Sequence, residues 1–259
     1  MELDYIIFEI RKKIAWIRFN RPSKLNAMNA RVLKELEKCL VDCEENEDAR
    51  VVVLVGNEKA FIAGADVEPL SKSDVNMGYQ AAELTMKVQE RLADLPKPTI
   101  AAISGYALGG GLEIALCCDF RLVAENAVLG LPEIKLGIIP GGGGTQRLPR
   151  LVGLGPATEM PMLGNTIDAE KAFSIGLAKE IVPVNQMEMR AEELAGQLAE
   201  MPEAAIRACK MCLRAGLNTG LKEGLRMEQG AFSMLFGTLD QKEGMAAFME
   251  KRKPQFSGI

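Results

Sequence analysis

Two uninterrupted apolar runs constrain the fold of this chain more than any other feature. Residues 51–56 read Val-Val-Val-Leu-Val-Gly, and residues 99–104 read Thr-Ile-Ala-Ala-Ile-Ser. A strand with one face in water alternates apolar and polar residues, and neither run does so. We therefore predict strands that are buried on both faces, as in parallel sheets covered by helices on both sides. The runs favour an α/β fold.

Predicted helices alternate with these strands, which is the pattern of a parallel α/β layout. Residues 29–45 and 76–95 carry apolar side chains at helical spacing, and two prolines after position 95 end the second helix. Apolar runs at 5–10 and 14–19 flank a charged turn and predict a hairpin. Beyond about residue 144, helices dominate. The further predicted elements are helices at 109–117, 153–163, 168–174, 186–199, 202–218, 220–239 and 241–250, and strands at 120–124 and 181–184.

Composition and charge exclude several classes of protein. The chain has 259 residues, of which 48% are hydrophobic, enough for a large buried core. Its formal net charge of −4 gives no general attraction for nucleic acid or anionic membranes. The longest uncharged stretch, 99–112, is shorter than the ~20 apolar residues of a membrane-spanning helix. Acidic residues at positions 2 and 4 do not fit a secretory signal. We expect a soluble, cytoplasmic protein without nucleic-acid or membrane partners.

The six cysteines do not predict a metal site. They fall in pairs at 39/43, 117/118 and 209/212, and the chain contains no histidine. The first and last pairs lie in helix-like runs and not in the glycine turns of a zinc ribbon, so we predict buried thiols. Neither a metal nor another bound cofactor is expected.

Two glutamates are placed for acid–base chemistry. Because the chain contains no histidine, groups of another type must carry such chemistry near neutral pH. Glu113 follows the triple glycine 109–111, and Glu133 follows a Gly-Leu-Pro turn before the glycine run 141–144. Both have apolar neighbours, which raise the pKa of a carboxyl group as a general acid requires. The plainer alternatives are a helix N-terminus that favours the charge of Glu113, and a solvated loop position for Glu133.

Small-residue turns near the glutamates could present backbone amides to a ligand. The glycines at 109–111 precede a helix, whose first amides are unpaired and stabilise an anion or a developing oxyanion. Residues 63–66, Ala-Gly-Ala-Asp, could supply a second donor. The alternatives are close helix–strand packing at the first turn and capping by Asp66 at the second. The run 141–144 lacks the lysine and hydroxyl residue of a phosphate loop.

Several of these segments together resemble the crotonase superfamily of enoyl-CoA hydratases and isomerases. The resemblance covers nearly the whole chain. Its segments are Asn20-Arg21-Pro22 with Leu25-Asn26-Ala27, Ala60-Phe61-x-Ala63-Gly64-Ala65-Asp66, Gly105-Tyr106-Ala107-Leu108-Gly109-Gly110-Gly111-x-Glu113, Pro132-Glu133, Pro140-Gly141-x-Gly143-Gly144-Thr145-Gln146-Arg147-Leu148 and Phe248-x-Glu250-Lys251-Arg252.

The fold that this resemblance implies is an α/β spiral of repeated ββα units, followed by a C-terminal α-helical region that mediates trimerisation. We accordingly expect a core domain with the active site at 1–195 and a helical oligomerisation region at 196–259. The expected assembly is a homotrimer, or a homohexamer made from two trimers.

The resemblance also implies roles for individual residues. The backbone N–H groups of Ala65 and Gly110 would form an oxyanion hole for an acyl-CoA thioester. Glu113 and Glu133 would match the two catalytic glutamates of the hydratases, the first handling a water and the second a proton at C2. The amide of Gly141 would help to hold the catalytic water.

The contacts with CoA and the acyl group follow less directly from the motifs. Where relatives often carry a lysine two residues after Asp66, this chain has Glu68, which weakens a phosphate contact there. Leu131 replaces a glutamine that is common before the Pro-Glu pair. Lys251 is expected to reach a neighbouring subunit's CoA, and the alternative is a cation at a helix C-terminus. The expected CoA or substrate contacts are Lys24, Ala63, Asp66 and Lys251.

The predicted function is therefore the reversible hydration of a short- or medium-chain 2-enoyl-CoA. A second hypothesis is an enoyl-CoA isomerase, or a hydratase for a branched or cyclic acyl group. A third is a non-catalytic scaffold or RNA-binding protein of the same fold, which the intact pair of glutamates and the acidic balance disfavour.

Overall fold

The two apolar runs form neighbouring strands at the centre of a six-stranded sheet. The computed structural model describes residues 3–258. The first two strands form the predicted antiparallel hairpin, and every later neighbour is parallel. The strands lie in the spatial order β1 (Ile6–Arg11), β2 (Ile14–Phe19), β3 (Val51–Val55), β5 (Thr99–Ile103), β7 (Phe120–Ala124) and β10 (Glu180–Val182).

Both faces of this sheet are covered, which explains the absence of polar alternation. Val52 and Leu54 face a core that they share with α1 (Ala30–Glu45), the second half of α3 (Val75–Asp94) and α4 (Gly110–Cys117). Their neighbours in β3 face a second core, which is closed by α8 (Met187–Ala199). The prediction of strands buried on both sides is confirmed.

A second sheet of four short strands carries the residues of interest. It contains β4 (Ala60–Ile62), β6 (Tyr106–Leu108), β8 (Val128–Gly130) and β9 (Thr166–Ile167), in that spatial order. The chain passes from β3 to β4, from β5 to β6 and from β7 to β8, so each central strand of the first sheet is followed by one of the second. A helical segment follows each of these pairs. The result is the spiral of ββα units that the resemblance implies.

The remaining helices complete the chain. They are α2 (Val67–Leu70), α5 (Gly144–Val152), α6 (Leu154–Leu163), α7 (Ala169–Ser174), α9 (Glu203–Gly216), α10 (Leu221–Leu235) and α11 (Leu239–Glu250), with short 3-10 segments at Pro22–Lys24, Pro132–Leu136 and Val184–Gln186.

Several elements differ from the sequence-based predictions. The four strands of the second sheet, α2 and α5 were not predicted, because segments of two to four residues show no periodicity and α5 contains an internal proline. The helix predicted at 220–239 ends at Leu235. The first half of α3 is exposed instead of burying its apolar stripe, with Met77 50% exposed.

The C-terminal helices leave large apolar side chains uncovered in the single chain. In α9 and α10, Leu213 is 70% exposed, Phe232 63% and Met234 80%. The α9 helix is attached to the core by Lys210 and Arg214, whose side chains pair with Asp119 at 2.8 and 3.0 Å. Among residues 3–258, no helix combines the length and the apolar character needed to cross a bilayer.

Candidate active site

Parallel pairing of two short strands brings the predicted donor turns together. Strands β4 and β6 are parallel neighbours, with Ala60 opposite Tyr106 and Ile62 opposite Ala107. Parallel strands end at the same edge of a sheet, so the turn at 63–66 and the glycines at 109–111 lie side by side. A Cβ on Gly64 would lie 3.6 Å from the carbonyl oxygen of Leu108, which confirms this proximity.

The backbone of Ala65 is oriented with its amide away from the neighbouring loop. Met28 accepts from the N–H of Asp66 at 2.7 Å and donates to the carbonyl of Gly64 at 2.8 Å. In a parallel bridge of this kind, the N–H of the intervening residue points to the opposite side. Within residues 3–258 that N–H has no protein acceptor. The amide of Ala65 is thus available to a ligand.

The glycines at 109–111 form the N-cap and the first two residues of α4, and each makes a different close contact. Gly109 has a φ of +52°, and a Cβ there would lie 2.8 Å from Oε1 of Glu133. A Cβ on Gly110 would meet the methyl group of Met28, and a Cβ on Gly111 would meet the carbonyl oxygen of Ile62. Close packing and ligand access were alternatives for this turn, and the structure shows close packing while the first amides of α4 remain without intrahelical acceptors.

Glu113 lies in the first turn of α4 and is 2% exposed. Its Oε1 accepts hydrogen bonds from the N–H groups of Gly142 and Gly144, both at 2.8 Å. Burial raises the pKa of this carboxyl group, while these two donors and the guanidinium of Arg147 lower it. One oxygen is therefore held by the glycine run, and Oε2 is left without a protein hydrogen bond in the described residues.

Glu133 lies in the first turn of the 3-10 segment Pro132–Leu136. The pKa of its carboxyl group is raised to about 7, mainly by burial and to a smaller extent by the negative charge of Glu113, against a backbone hydrogen bond that lowers it. Its Oε2 is buried and has no hydrogen-bond partner among residues 3–258. A carboxyl group of this kind can exchange a proton near neutral pH.

The glycine run after Glu133 is held by a residue that sequence reasoning did not single out. Arg147, from α5, donates to the carbonyl of Gly142 at 2.8 Å and to Oε1 of Gln89 at 3.3 Å. Gln89 is fully buried in α3. The sequence signal for Gln89 is its place beside Val88 on the buried stripe of a predicted helix. Gly141 is exposed, and a Cβ added there would have Ala82 as its nearest contact, at 3.9 Å.

The segment 20–27 holds the donor turn at 63–66 through hydrogen bonds. Arg21 donates to the carbonyl of Ala27 and pairs with Asp66, both at 2.9 Å. Asn26 is 1% exposed and donates to the carbonyls of β4. These bonds fix the turn at 63–66 against the loop before α1. Asp66 is the N-cap residue of α2, as the capping alternative predicts, but its side chain makes no capping hydrogen bond and pairs with Arg21 instead.

The other expected substrate residues are more scattered. Ala63 belongs to the donor turn and bonds through its N–H to the carbonyl of Leu25. Lys24 is exposed and ends the 3-10 segment Pro22–Lys24. Lys251 is exposed and is the C-cap residue of α11. Glu68 pairs with Lys72 at 3.3 Å.

Leu131, which stands where relatives often have a glutamine, has a buried side chain. Leu131 is 0% exposed, and its Cδ1 lies 3.0 Å from the position that a Cβ on Gly144 would occupy. It therefore packs behind the glycine run.

Two carboxyl groups and unpaired backbone amides lie together at one short stretch of backbone. Oε1 of Glu133 approaches the Cβ position of Gly109 at 2.8 Å, and Oε2 of Glu113 approaches that of Gly110 at 3.8 Å. Unpaired amides lie at the same place. Such a site can stabilise an oxyanion while two carboxyl groups transfer protons nearby.

Known proteins resemble this chain over nearly its whole length. Residues 9–258 match the sequence model of the family described as enoyl-CoA hydratase/isomerase. The chain is 38% identical over 257 residues to the crotonyl-CoA hydratase of Syntrophomonas wolfei, with 99% of each chain covered. It is 41% identical over 254 residues to the short-chain-enoyl-CoA hydratase of Clostridium acetobutylicum, with 98% of this chain and 97% of the other covered. The crystal structure of an enoyl-CoA hydratase from Bacillus anthracis superposes with a TM-score of 0.95 at 40% identity, covering 99% of this chain and 100% of the other.

Proposed function

This chain belongs to the enoyl-CoA hydratase/isomerase family, and we propose that Glu113 and Glu133 are the groups with which it adds water across the C2=C3 bond of a 2-enoyl-CoA. The activity is that of an enoyl-CoA hydratase, a hydro-lyase. The product is a 3-hydroxyacyl-CoA, and the reaction is reversible. The observation that carries the residue assignment is the approach of both carboxyl groups to Gly109 and Gly110, beside unpaired amides.

The first step of the proposed mechanism is polarisation of the thioester carbonyl. Its oxygen would accept from the N–H groups of Ala65 and Gly110, which lie at adjacent strand ends. Negative charge then gathers on that oxygen as an enolate-like state forms. Removal of one such donor typically costs about 10²–10³ in rate.

Glu113 would activate the water. Its Oε1 is held by Gly142 and Gly144 at 2.8 Å, so Oε2 is presented in a defined direction. An ionised Oε2 can accept a proton from a water as the water adds to C3. The exposed backbone at Gly141 is proposed to hold this water through its N–H.

Glu133 would deliver the proton to C2. A pKa of about 7 means that a substantial fraction of its carboxyl group is protonated at neutral pH. In the reverse direction the same group removes the C2 proton, and Glu113 returns a proton to the leaving hydroxyl. These proposed steps use the two carboxyl groups, the backbone amides and a water, and the CoA belongs to the substrate.

One observation favours enoyl-CoA isomerisation as a second activity. A single carboxyl group with a pKa near 7 can both remove and return a proton, and Glu133 has that property. Protonation at C2 is common to both reactions. Isomerisation is therefore proposed as a side activity on β,γ-unsaturated thioesters.

We propose a homotrimer, or a hexamer of two trimers, as the assembly. The exposed apolar side chains of α9 and α10, such as Phe232 and Met234, support this proposal because large uncovered apolar patches mark interaction surfaces. Lys251 would then reach the CoA of a neighbouring subunit. The other proposed substrate contacts, Lys24, Ala63 and Asp66, would come from the subunit that binds the acyl group. A cytoplasmic location and the division of the chain near residue 195 stay predictions.

Turnover of defined thioesters tests the proposed function. The purified protein is mixed with crotonyl-CoA and longer 2-enoyl-CoAs, and the 3-hydroxy product is quantified. Saturable turnover is expected, together with loss of activity in Glu113→Gln. Formation of 2-enoyl product from β,γ-unsaturated thioesters would reveal the isomerase. Absence of turnover on every thioester would contradict hydration and favour a non-catalytic scaffold or RNA-binding protein.

A further inference from the structure

A glutamine behind the glycine run has an unused hydrogen-bond donor. Gln89 is 0% exposed, and its Nε2 has no hydrogen-bond partner among the described residues. Buried polar groups are normally paired, because an unpaired donor loses its bonds to water without replacement. A methionine or leucine would fill the same space without this cost. The amide therefore calls for a functional explanation.

The direction of the amide is determined by its neighbours. Its Oε1 accepts from the guanidinium of Arg147 at 3.3 Å and lies 3.9 Å from Sγ of Cys117. Arginine can only donate, so the amide oxygen must face Arg147. Both amide atoms border the glycine run, because Nε2 lies 2.5 Å and Oε1 lies 2.9 Å from the position that a Cβ on Gly142 would occupy, and Glu113 borders the same position.

The unpaired donor and the free carboxylate oxygen face the same small volume. Nε2 of Gln89 lies 2.5 Å, and Oε2 of Glu113 lies 2.6 Å, from the position that a Cβ on Gly142 would occupy. Only glycine at 142 leaves this volume open. The two atoms border one space, and a bond between them requires the N–H of Gln89 to turn toward the carboxylate.

We propose that Gln89 is a positioning residue for hydration, whose amide donates to Oε2 of Glu113 and keeps the ionised carboxylate aligned with the water. The inference rests on the proposed function, since it gives Glu113 the role of the base. A carboxylate oxygen has two lone pairs, so Oε2 can accept from Gln89 and from the water at once. Through Arg147, the same glutamine also supports the carbonyl side of the glycine run.

The proposal predicts a change in the pH dependence. The ionisable groups that face Glu113 are Glu133 from the 3-10 segment, Arg147 from α5 and Cys117 from the next turn of α4, whereas α3 contributes the uncharged Gln89. A donor to the ionised carboxylate lowers its pKa, so removing the donor raises it. Glu113 is then protonated at a higher pH, so the acidic limb of the rate profile moves to higher pH.

Two substitutions separate a donor from a purely structural side chain. Gln89→Met keeps the length and removes the donor, and we expect a roughly tenfold loss of kcat, KM within about twofold, and an acidic limb moved up by about one pH unit. Gln89→Glu keeps an acceptor for Arg147 but replaces the amide by a second carboxyl group. It should lose at least as much activity. Leu92→Met, a buried change one turn further along α3, is the control and should leave both limbs in place.

A second readout does not depend on turnover. The carboxyl carbon of Glu113 is followed by ¹³C NMR in glutamate-labelled protein and assigned by its absence in Glu113→Gln. Its titration should move to higher pH in Gln89→Met. Absence of hydration by the wild type would refute the proposed function but not this contact. An unchanged titration and acidic limb in Gln89→Met, or full activity in Gln89→Glu, would overturn the role of Gln89.

Discussion

Replacement of Glu133 by glutamine should reduce turnover while increasing stability at alkaline pH. The carboxyl group is partly buried and its Oε2 lacks a hydrogen-bond partner in the described part of the chain. Glutamine has nearly the same shape, is neutral at every pH and cannot transfer the proton. The change therefore removes the proposed chemistry and, at high pH, a poorly solvated charge.

The structure gives a magnitude for each effect. General acid–base catalysis contributes about 10²–10⁴ in rate, so kcat should fall by that factor with little change in KM. Burial raises the pKa of Glu133 from 4.5 to about 7. At 1.36 kcal/mol per pH unit this shift corresponds to at most about 3–4 kcal/mol, and we expect roughly half of it because solvent screens a partly exposed group.

The sign of the stability effect follows from proton linkage. The folded protein binds this proton more tightly than the unfolded chain, so the wild type loses stability as the pH rises from 4.5 through about 7. Glu133→Gln has no such loss. It should unfold like the wild type at pH 4 and be about 1–2 kcal/mol more stable at pH 8.

Two measurements check the prediction. Initial rates with crotonyl-CoA give kcat and KM, and thermal or urea unfolding at both pH values gives the stability difference. Near-normal turnover of Glu133→Gln would refute its role as the proton donor. Equal stability of the two proteins at pH 8 would refute the raised pKa, whatever the kinetics.

The remaining predictions concern the elements that support the site. Gly111→Ala places a Cβ 2.1 Å from a β4 carbonyl oxygen, so unfolding should become easier by about 3 kcal/mol in urea titrations, whereas Gly141→Ala, with its nearest contact at 3.9 Å, should keep wild-type stability. Arg21→Met breaks the 2.9 Å pair with Asp66 and should lower kcat about tenfold by loosening the donor turn. Lys72→Met, which breaks an exposed pair at 3.3 Å, is its control and should change neither rate nor stability. Equal effects of the two substitutions would contradict the claim that the Arg21–Asp66 pair holds the donor turn.

The long elements were predictable because their periodicity extends over many residues. The strands at 51–56 and 99–104 and the helix at 29–45 differ from the structure by one residue at an end. The second sheet was not predictable in this way. Its strands have two or three residues, and they form because the preceding long strands and the glycine turns bring them together.

The candidate site was predicted in its parts but not in its connections. The two glutamates and the two donor turns could be identified from glycines, apolar neighbours and the resemblance. The hydrogen bonds from the glycine run to Glu113 and the contact of Arg147 with Gln89 depend on which helices pack together. A buried glutamine in a helical stripe gives no local signal of the carboxylate that it faces.

The stereochemistry of hydration in D₂O tests the central claim most directly. Both carboxyl groups approach the same stretch of backbone at Gly109 and Gly110, so water and proton should reach one face of the bound enoyl group. NMR of the product from crotonyl-CoA should show a single deuterium at C2, on the same side as the new hydroxyl at C3. Addition from opposite faces, or a mixture of configurations at C2, would contradict the account.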